Sequence, residues 1–412
     1  NLADDAAFQA RSIWAKREYM NMKMLGEVTN DIPAGTEALA GGYVGLDGMY
    51  NGARFDGTSV KWEVLRTTDD ATTREVTTLR ISPDAGQSGV MRAFGADFDS
   101  AAPWSEIGAR GDLAEEIDRV EISGQIVCSG NLDSMFQGLK SARTFDLATL
   151  DVVSADPAAD DKNKAIGVRS ASSMFRGCEQ IEGVVTANAE ASARDALGQD
   201  AALCVLPATM DTVGLTDATR MFEGCDALRL MDITGLGAGA SVNMLEFAGG
   251  ETLSAPGSVV RLTDVATGPG TTMASAFEAS AGLTEVELTR VGGTRLDARS
   301  AFEGCAKIQT LRATSFGQGT TDLTRAFAGC STDVDMSRPV TYSFTDTVVM
   351  GGCTFDSAFA DAFTTESALA EGSYVRFSAR SVAGPVASAR SVFAPSRADR
   401  PCQMPKIDMS GF

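Results

Sequence analysis

Apolar residues in this chain return at fixed distances from a repeated phenylalanine. The clearest strings are Met135-Phe136-Gln137-Gly138, Met174-Phe175-Arg176-Gly177-Cys178, Met221-Phe222-Glu223-Gly224-Cys225, Ala276-Phe277, Ala301-Phe302-Glu303-Gly304-Cys305 and Ala326-Phe327-Ala328-Gly329-Cys330. Weaker copies stand at Met49-Tyr50-Asn51-Gly52, Ala93-Phe94, Phe247-Ala248-Gly249, Ala358-Phe359 and Val392-Phe393, which makes eleven in all. Phe222 to Phe247, Phe277 to Phe302 and Phe302 to Phe327 are each 25 residues apart, and the other intervals run from 30 to 47. Such a period is the signature of stacked structural repeats. The extra length, as in Ala155 to Lys164 and Asn188 to Asp200, is expected to form loops on one side of each coil.

Offsets +3, +6, +9 and +11 from Phe136, Phe175, Phe222, Phe277 and Phe302 test the register. Counting the Phe itself, 23 of these 25 positions are apolar, where composition alone gives about 11. The last two offsets are two apart, which is strand alternation, whereas Phe, +3 and +6 follow helical or turn spacing. Each repeat is therefore predicted as a short helix or turn carrying the Phe, a glycine turn, and a short strand such as Leu228 to Thr234 or Thr284 to Thr289. Glycine at +2 suits the positive φ with which a helical turn commonly ends. Stacked repeats would pair their strands into one parallel sheet and pile their rings into a ladder. The expected fold is an α/β repeat solenoid with a parallel sheet and short helices or turns. Its core column comprises Phe136, Phe175, Phe222, Phe247, Phe277, Phe302, Phe327 and Phe359, with Cys178, Cys225, Cys305 and Cys330 beside them.

The unit M-F-x-G-C-x-x-L-x-x-L/M-D-I, clearest from Met221 to Ile233, resembles the BspA-like leucine-rich repeats of microbial surface proteins. The resemblance covers residues 130 to 335 well and residues 45 to 130 and 336 to 400 poorly. Leu139 and Ser280 stand where the signature has Cys. It implies a leucine-rich-repeat-like right-handed coil, display on a cell surface, adhesion or protein binding, and no catalytic residues to carry over.

Residues 1 to 26 read as one helix. Asp4 and Asp5 suit the positive end of its dipole, Phe8, Ile13, Trp14, Met20 and Met24 are apolar, and Gly26 can end it. It is either a cap or an attachment helix, and Phe8, Trp14 and Tyr19 are its attachment candidates. The chain then divides into residues 1–44 (helix and capping or attachment segment), 45–400 (repeats) and 401–412 (tail).

Composition narrows the function. With 55 acidic and 35 basic residues the formal net charge is -20, which repels phosphate backbones and anionic lipid, and no Lys/Arg-rich run offsets it. The nearest to one, Arg11, Lys16, Arg17 and Lys23, reads as a solvated helix face. Nucleic acid is therefore not an expected partner. No run reaches the 18 apolar residues of a membrane span, and the N-terminus lacks the pattern of a signal peptide, so membrane insertion is not expected either. Sequons for N-glycosylation are absent.

Histidine is absent, which removes Ser-His-Asp and Cys-His catalysis and His-based metal sites. None of the eight cysteines forms C-x-x-C. The four in the repeat signature read as buried core fillers outside any disulfide, while disulfides remain open for Cys128, Cys204, Cys353 and Cys402. Carboxylate pairs at Asp4/Asp5, Asp69/Asp70, Glu115/Glu116 and Asp160/Asp161 read as solvated surface, because glycoside chemistry needs carboxylates converging on one groove. No calcium-loop motif appears, and lysine interrupts Asp160-Asp161-Lys162-Asn163. Arg110-Gly111-Asp112 spells an adhesion tripeptide but reads as a plain turn. A Phe and Met column this regular reads as core, not as a ligand box.

No cofactor or metal is expected. The sequence favours a non-catalytic surface protein that binds a protein or glycan and is displayed on a cell or virion. Two alternatives remain: a self-assembling subunit of a virion or filament docking through its N-terminal helix, and a polysaccharide-active enzyme.

Overall fold

The computed structural model describes residues 35–46, 48–50, 53–55, 58–68, 73–83, 89–128, 130–152, 168–208, 214–250, 252–345, 353–365, 367–378, 387–395, 402–403 and 405–408. The predicted helix over residues 1–26, with Phe8, Trp14 and Tyr19, lies outside them, as does Ala155 to Lys164.

Strands dominate, gathered in one large, mostly parallel sheet with few helices. Its fourteen members are β1 (Thr36–Tyr43), β2 (Val60–Thr68), β3 (Glu75–Pro83), β4 (Arg119–Ile122), β5 (Thr144–Asp146), β6 (Gly183–Thr186), β7 (Leu203–Leu206), β8 (Leu230–Thr234), β9 (Ser258–Val265), β10 (Leu283–Val291), β11 (Thr310–Phe316), β12 (Thr341–Thr345), β13 (Tyr374–Ser378) and β14 (Lys406–Asp408). β1, β2 and β3 are antiparallel neighbours, and every later neighbour is parallel. The order across the sheet follows the chain except that β7 lies between β5 and β6.

The alternation in each strand explains its two faces. In β10, Leu283, Val286, Leu288 and Val291 are buried while Glu285, Glu287 and Thr289 point the other way. Val286 and Leu288 obey a period of two. Val291 falls three residues after Leu288 because Arg290 takes a positive φ, and Asp264 and Ser315 do the same near the ends of β9 and β11. All 25 positions at the Phe, +3, +6, +9 and +11 offsets are at most 1% exposed. The 23 apolar ones belong to one continuous apolar core that extends to Trp62 and Trp104, 5.5 Å apart, under the antiparallel strands.

The segment bearing each Phe is a series of turns, not a helix. Left-handed residues bracket it, two before the Phe (Ser173, Arg220, Ser275, Ser300, Arg325) and two after (Gly177, Gly224, Ala279, Gly304, Gly329). Two such reversals within five residues prevent helical propagation. Instead, each Phe amide donates to the carbonyl of the residue preceding the next repeat's Phe, as Phe175 does to Met221, Phe277 to Ala301 and Phe302 to Ala326, at 2.8–2.9 Å. A polar side chain five residues before the Phe starts the turn: Asp217, Thr272, Asp297 and Asp322 each accept a hydrogen bond from the amide two residues on, at 2.9–3.3 Å.

Two expectations need correction. The segment Asn188 to Asp200 is not a loop: it contains helix α1 (Glu190–Leu197) and leads into β7, which inserts into the sheet. And Phe247 does not hold the Phe place of its repeat. The Phe222 amide donates to the Phe247 carbonyl, and the Ala248 amide to the Ala276 carbonyl, so Phe247 occupies the preceding (Met) place and Ala248 the Phe place. Consistently, the left-handed residues there are Glu246 and Gly250, two either side of Ala248. The rings stack at 4° from Phe175 to Phe222, at 8° from Phe277 to Phe302 and at 5° from Phe302 to Phe327, but Phe247 meets Phe222 edge-on at 85° and Phe277 at 76°.

Candidate interaction surface

The signature residues are committed to packing. Phe136, Phe175, Phe222, Phe247, Phe277, Phe302, Phe327 and Phe359 are all buried, with Phe359 stacked between Phe327 and Phe393 at 5.2 Å from each. Each signature thiol donates to the carbonyl of the Phe one repeat earlier: Cys178 to Phe136, Cys225 to Phe175, Cys305 to Phe277 and Cys330 to Phe302, at 3.0–3.3 Å. Cysteine is thus more than a small apolar filler here. Burial pushes these thiols up, Cys305 to about 12, which suppresses the nucleophilic thiolate near neutral pH. None of the eight cysteines is in a disulfide.

Where the chemistry-bearing side chains do gather is the sheet face turned away from the core. Parallel register across β8, β9, β10, β11, β12 and β13 aligns Asp232, Arg261, Glu287, Arg312, Ser343 and Arg376 in one column. Beside it runs a hydroxyl column of Thr234, Thr263, Thr289, Thr314, Thr345 and Ser378. On the other side lie Val259, Glu285, Thr310, Thr341 and Tyr374.

Arginine links neighbouring strands along this face. Arg261 sits 3.8 Å from Asp232 and 3.4 Å from Glu287; Arg312 lies 2.9 Å from Glu285 and 2.7 Å from Glu287; Arg376 is 3.1 Å from Asp408 and stacks 4.7 Å over the Tyr374 ring. Hydrogen bonding to Glu285 holds the Arg312 guanidinium above its ordinary pKa. Partial burial raises the Asp232 carboxyl, against the pull of Arg261. Every one of these arginines is at least one-third exposed, so each pair contributes no more than about 1 kcal/mol and can be exchanged for a contact with another molecule.

Helix α1 bounds this face. Val185, Leu203, Val205 and Leu230 point outward from β6, β7 and β8, and with Ala193 of the helix they form a second, small apolar cluster separate from the main core. Leu197 packs against it.

Other candidates disperse. Of the four acidic pairs, Glu115/Glu116 alone falls among the described residues, and the two side chains face different cations, Lys140 at 3.6 Å and Arg66 at 2.8 Å. No group of three or more potential metal-ligating side chains occurs among the described residues. Arg110 pairs with Asp112 at 3.1 Å around the short 3-10 turn Gly111–Leu113. A cavity of about 20 Å³ lies beside the inserted β7, lined by apolar groups including Leu132, Leu150, Met174, Leu206 and Leu215. No described helix is long and apolar enough to cross a membrane.

Sequence reasoning fixed the core columns but did not register the outward-facing ones, although offsets +8, +10 and +12 from Phe302 (Thr310, Arg312, Thr314) and from Phe277 (Glu285, Glu287, Thr289) would have found them. Compared with known proteins, the chain matches no family, no curated protein and no solved structure.

Proposed function

We propose that the chain is a non-catalytic recognition scaffold: a leucine-rich-repeat-like, right-handed solenoid, displayed at a cell or virion surface, whose outward sheet face from β8 to β13 binds protein. The observation that carries this reading is the register of that face, where six consecutive strands align charged and hydroxyl columns over a rigid core. A surface fixed by backbone hydrogen bonds is preorganised, which lowers the ordering cost of association. Carboxylates each held by at least one arginine suit recognition better than proton transfer. A protein is favoured over a glycan because the face offers Tyr374 as its aromatic platform, and that ring is already covered by Arg376. The resemblance to BspA-like repeats supports the same role.

The test compares full-length wild type with the triple variant Arg261→Glu, Arg312→Glu, Arg376→Glu as baits in cross-linking capture against proteins of the native source. Capture lost in the variant, with its circular dichroism unchanged, is the expected result. Partners captured equally by both would refute the reading, as would turnover of a polysaccharide that a single Asp replacement abolishes.

A further inference from the structure

The outward face of β8–β13 has an internal symmetry that neither its strands nor its repeats require. Six strands are bounded on one side by α1, which stands on β6 and β7, and on the other by the short β14. Its midpoint falls between β10 and β11. A two-fold axis parallel to the strands at that point would lay β10 on the partner copy's β11, β9 on its β12 and β8 on its β13, while each column faced its own kind.

Of the residues so opposed, the charged ones meet either the opposite charge or a hydroxyl. Glu287 meets Arg312, Arg261 meets Ser343, and Asp232 meets Arg376, each twice by symmetry. In the flanking columns Thr289 meets Thr314, Thr263 meets Thr345, Thr234 meets Ser378, Glu285 meets Thr310 and Val259 meets Thr341. No like charges are juxtaposed. Shifting the axis onto β11 itself would set Arg312 against its own copy and Arg261 against Arg376, so the charges also select the register.

The balance of charge points the same way. On a chain with a net charge of -20, Arg261, Arg312 and Arg376 on this face offset Asp232, Glu285 and Glu287. Two copies repel one another across most orientations and least where these neutral faces meet.

We propose that this face pairs with the same face of a second copy of the chain, about a two-fold axis parallel to the strands between β10 and β11. The interaction is isologous, so each contact occurs twice. Six strands at about 4.8 Å spacing, and three outward residues along each, give roughly 600 Å² per copy, at the low end for a specific interface. A dissociation constant in the micromolar range follows, sensitive to salt because the contacts are charged and rim-exposed. The inference rests on the reading of this face as a binding surface and names its occupant.

Sedimentation of the full chain over about 1–300 µM tests it, as do charge reversals. Wild type should pass from monomer to dimer, and more weakly at high salt. Arg312→Glu or Glu287→Arg alone should weaken dimerisation at least tenfold, whereas the two together, which exchange the opposed charges, should recover most of it. Arg325→Glu, on the turn side of the repeats, should leave it unchanged. Wild type that stays monomeric throughout, or a dimer indifferent to both single reversals, overturns the two-fold pairing. If wild type is monomeric yet the triple variant loses its captured partners, this inference falls and the recognition role stands; equal capture by both baits removes the role itself.

Discussion

The displaced register at Phe247 predicts a strong coupling between two adjacent positions. In the neighbouring repeats a Met or Ala precedes the Phe, but here the order is Phe247-Ala248, and the ring projects from the wrong one of the two places. Ala248→Phe alone would insert a benzyl group beside the Phe247 ring in a fully buried site, at a cost of about 1–3 kcal/mol for overpacking. Phe247→Met alone would give up edge-on contacts to Phe222 at 5.2 Å and Phe277 at 6.2 Å, each contributing about 0.5–1.5 kcal/mol, for a loss of about 1–3 kcal/mol. Together they restore the order found at Met174-Phe175 and Met221-Phe222, placing a ring between Phe222 and Phe277 where stacking can run through. The double variant should therefore fall within about 1 kcal/mol of wild type, leaving a coupling of about 1 kcal/mol or more between contacting residues. Urea unfolding followed by circular dichroism reads this directly, provided the slope is the same for all four proteins. Simple additivity, with a coupling under about 0.5 kcal/mol, would show that the two residues do not exchange roles and would refute the register assignment.

Further predictions follow from single positions. Ser280 occupies the Cys place, is fully buried, and its hydroxyl has no hydrogen-bond partner among the described residues, whereas a longer thiol reaches the preceding repeat; Ser280→Cys should raise stability by about 1 kcal/mol in a urea melt, and no gain would count against the thiol's role. Gly224 has a φ of +73° and an added Cβ would meet only an ordinary contact with the Gly177 backbone at 3.5 Å, so Gly224→Ala should cost about 1–2 kcal/mol of backbone strain; Gly282→Ala, whose Cβ would clash with the Ala255 carbonyl oxygen, should cost more, and the reverse ranking in thermal melts would be fatal to this explanation. Burial raises the Cys305 thiol from 9.0 to about 12, so its protonated form is favoured by folding. The associated stability is fully present below about pH 9 and is lost as pH rises towards 12, where the unfolded chain has released a proton that the folded chain retains, at about 1.4 kcal/mol per pH unit. Cys305→Ala should flatten the alkaline decline measured by urea titration by that share, and an identical slope would disprove the linkage.

The fold was most legible where the repeats are regular, because a residue that recurs every 25 positions marks its own column. Offsets from Phe222, Phe277 and Phe302 located the buried side of β8, β10 and β11 with no other information. At Phe247 side-chain identity and backbone register part company, and the repeat keeps its backbone conformation. Asn243, which accepts the Leu245 amide at 3.2 Å, lies five residues before Ala248, and the left-handed Gly250 lies two after it. Those polar and glycine positions carried the register, and the phenylalanine did not. The turn itself was read as helix or turn because Phe, +3 and +6 suit either; the left-handed Arg220 and Arg325 that decide the matter have no preference visible in sequence.

Length misled the reading in the other direction. Asn188 to Asp200 looked like surplus because it interrupts the spacing between Phe175 and Phe222, yet Glu190-Arg194 is an i,i+4 ion pair and Leu203-Cys204-Val205-Leu206 is an apolar run suited to a strand buried on both faces. Strand β7 joins the sheet without contributing a ring to the Phe column: Phe136 and Phe175 remain 5.5 Å apart while β5 and β6 are separated by a full strand. The sheet side of the stack is thus one strand longer than the turn side, and the apolar cavity lined by Leu150, Met174 and Leu206 lies at this mismatch. The same insertion sets α1 on the outward face, where its apolar contacts to Val185 and Leu230 close off the charged columns that begin at Asp232. One insertion therefore both disturbs the packing of the core and defines where the charged columns start, which is why neither feature could be read from the repeat pattern it interrupts.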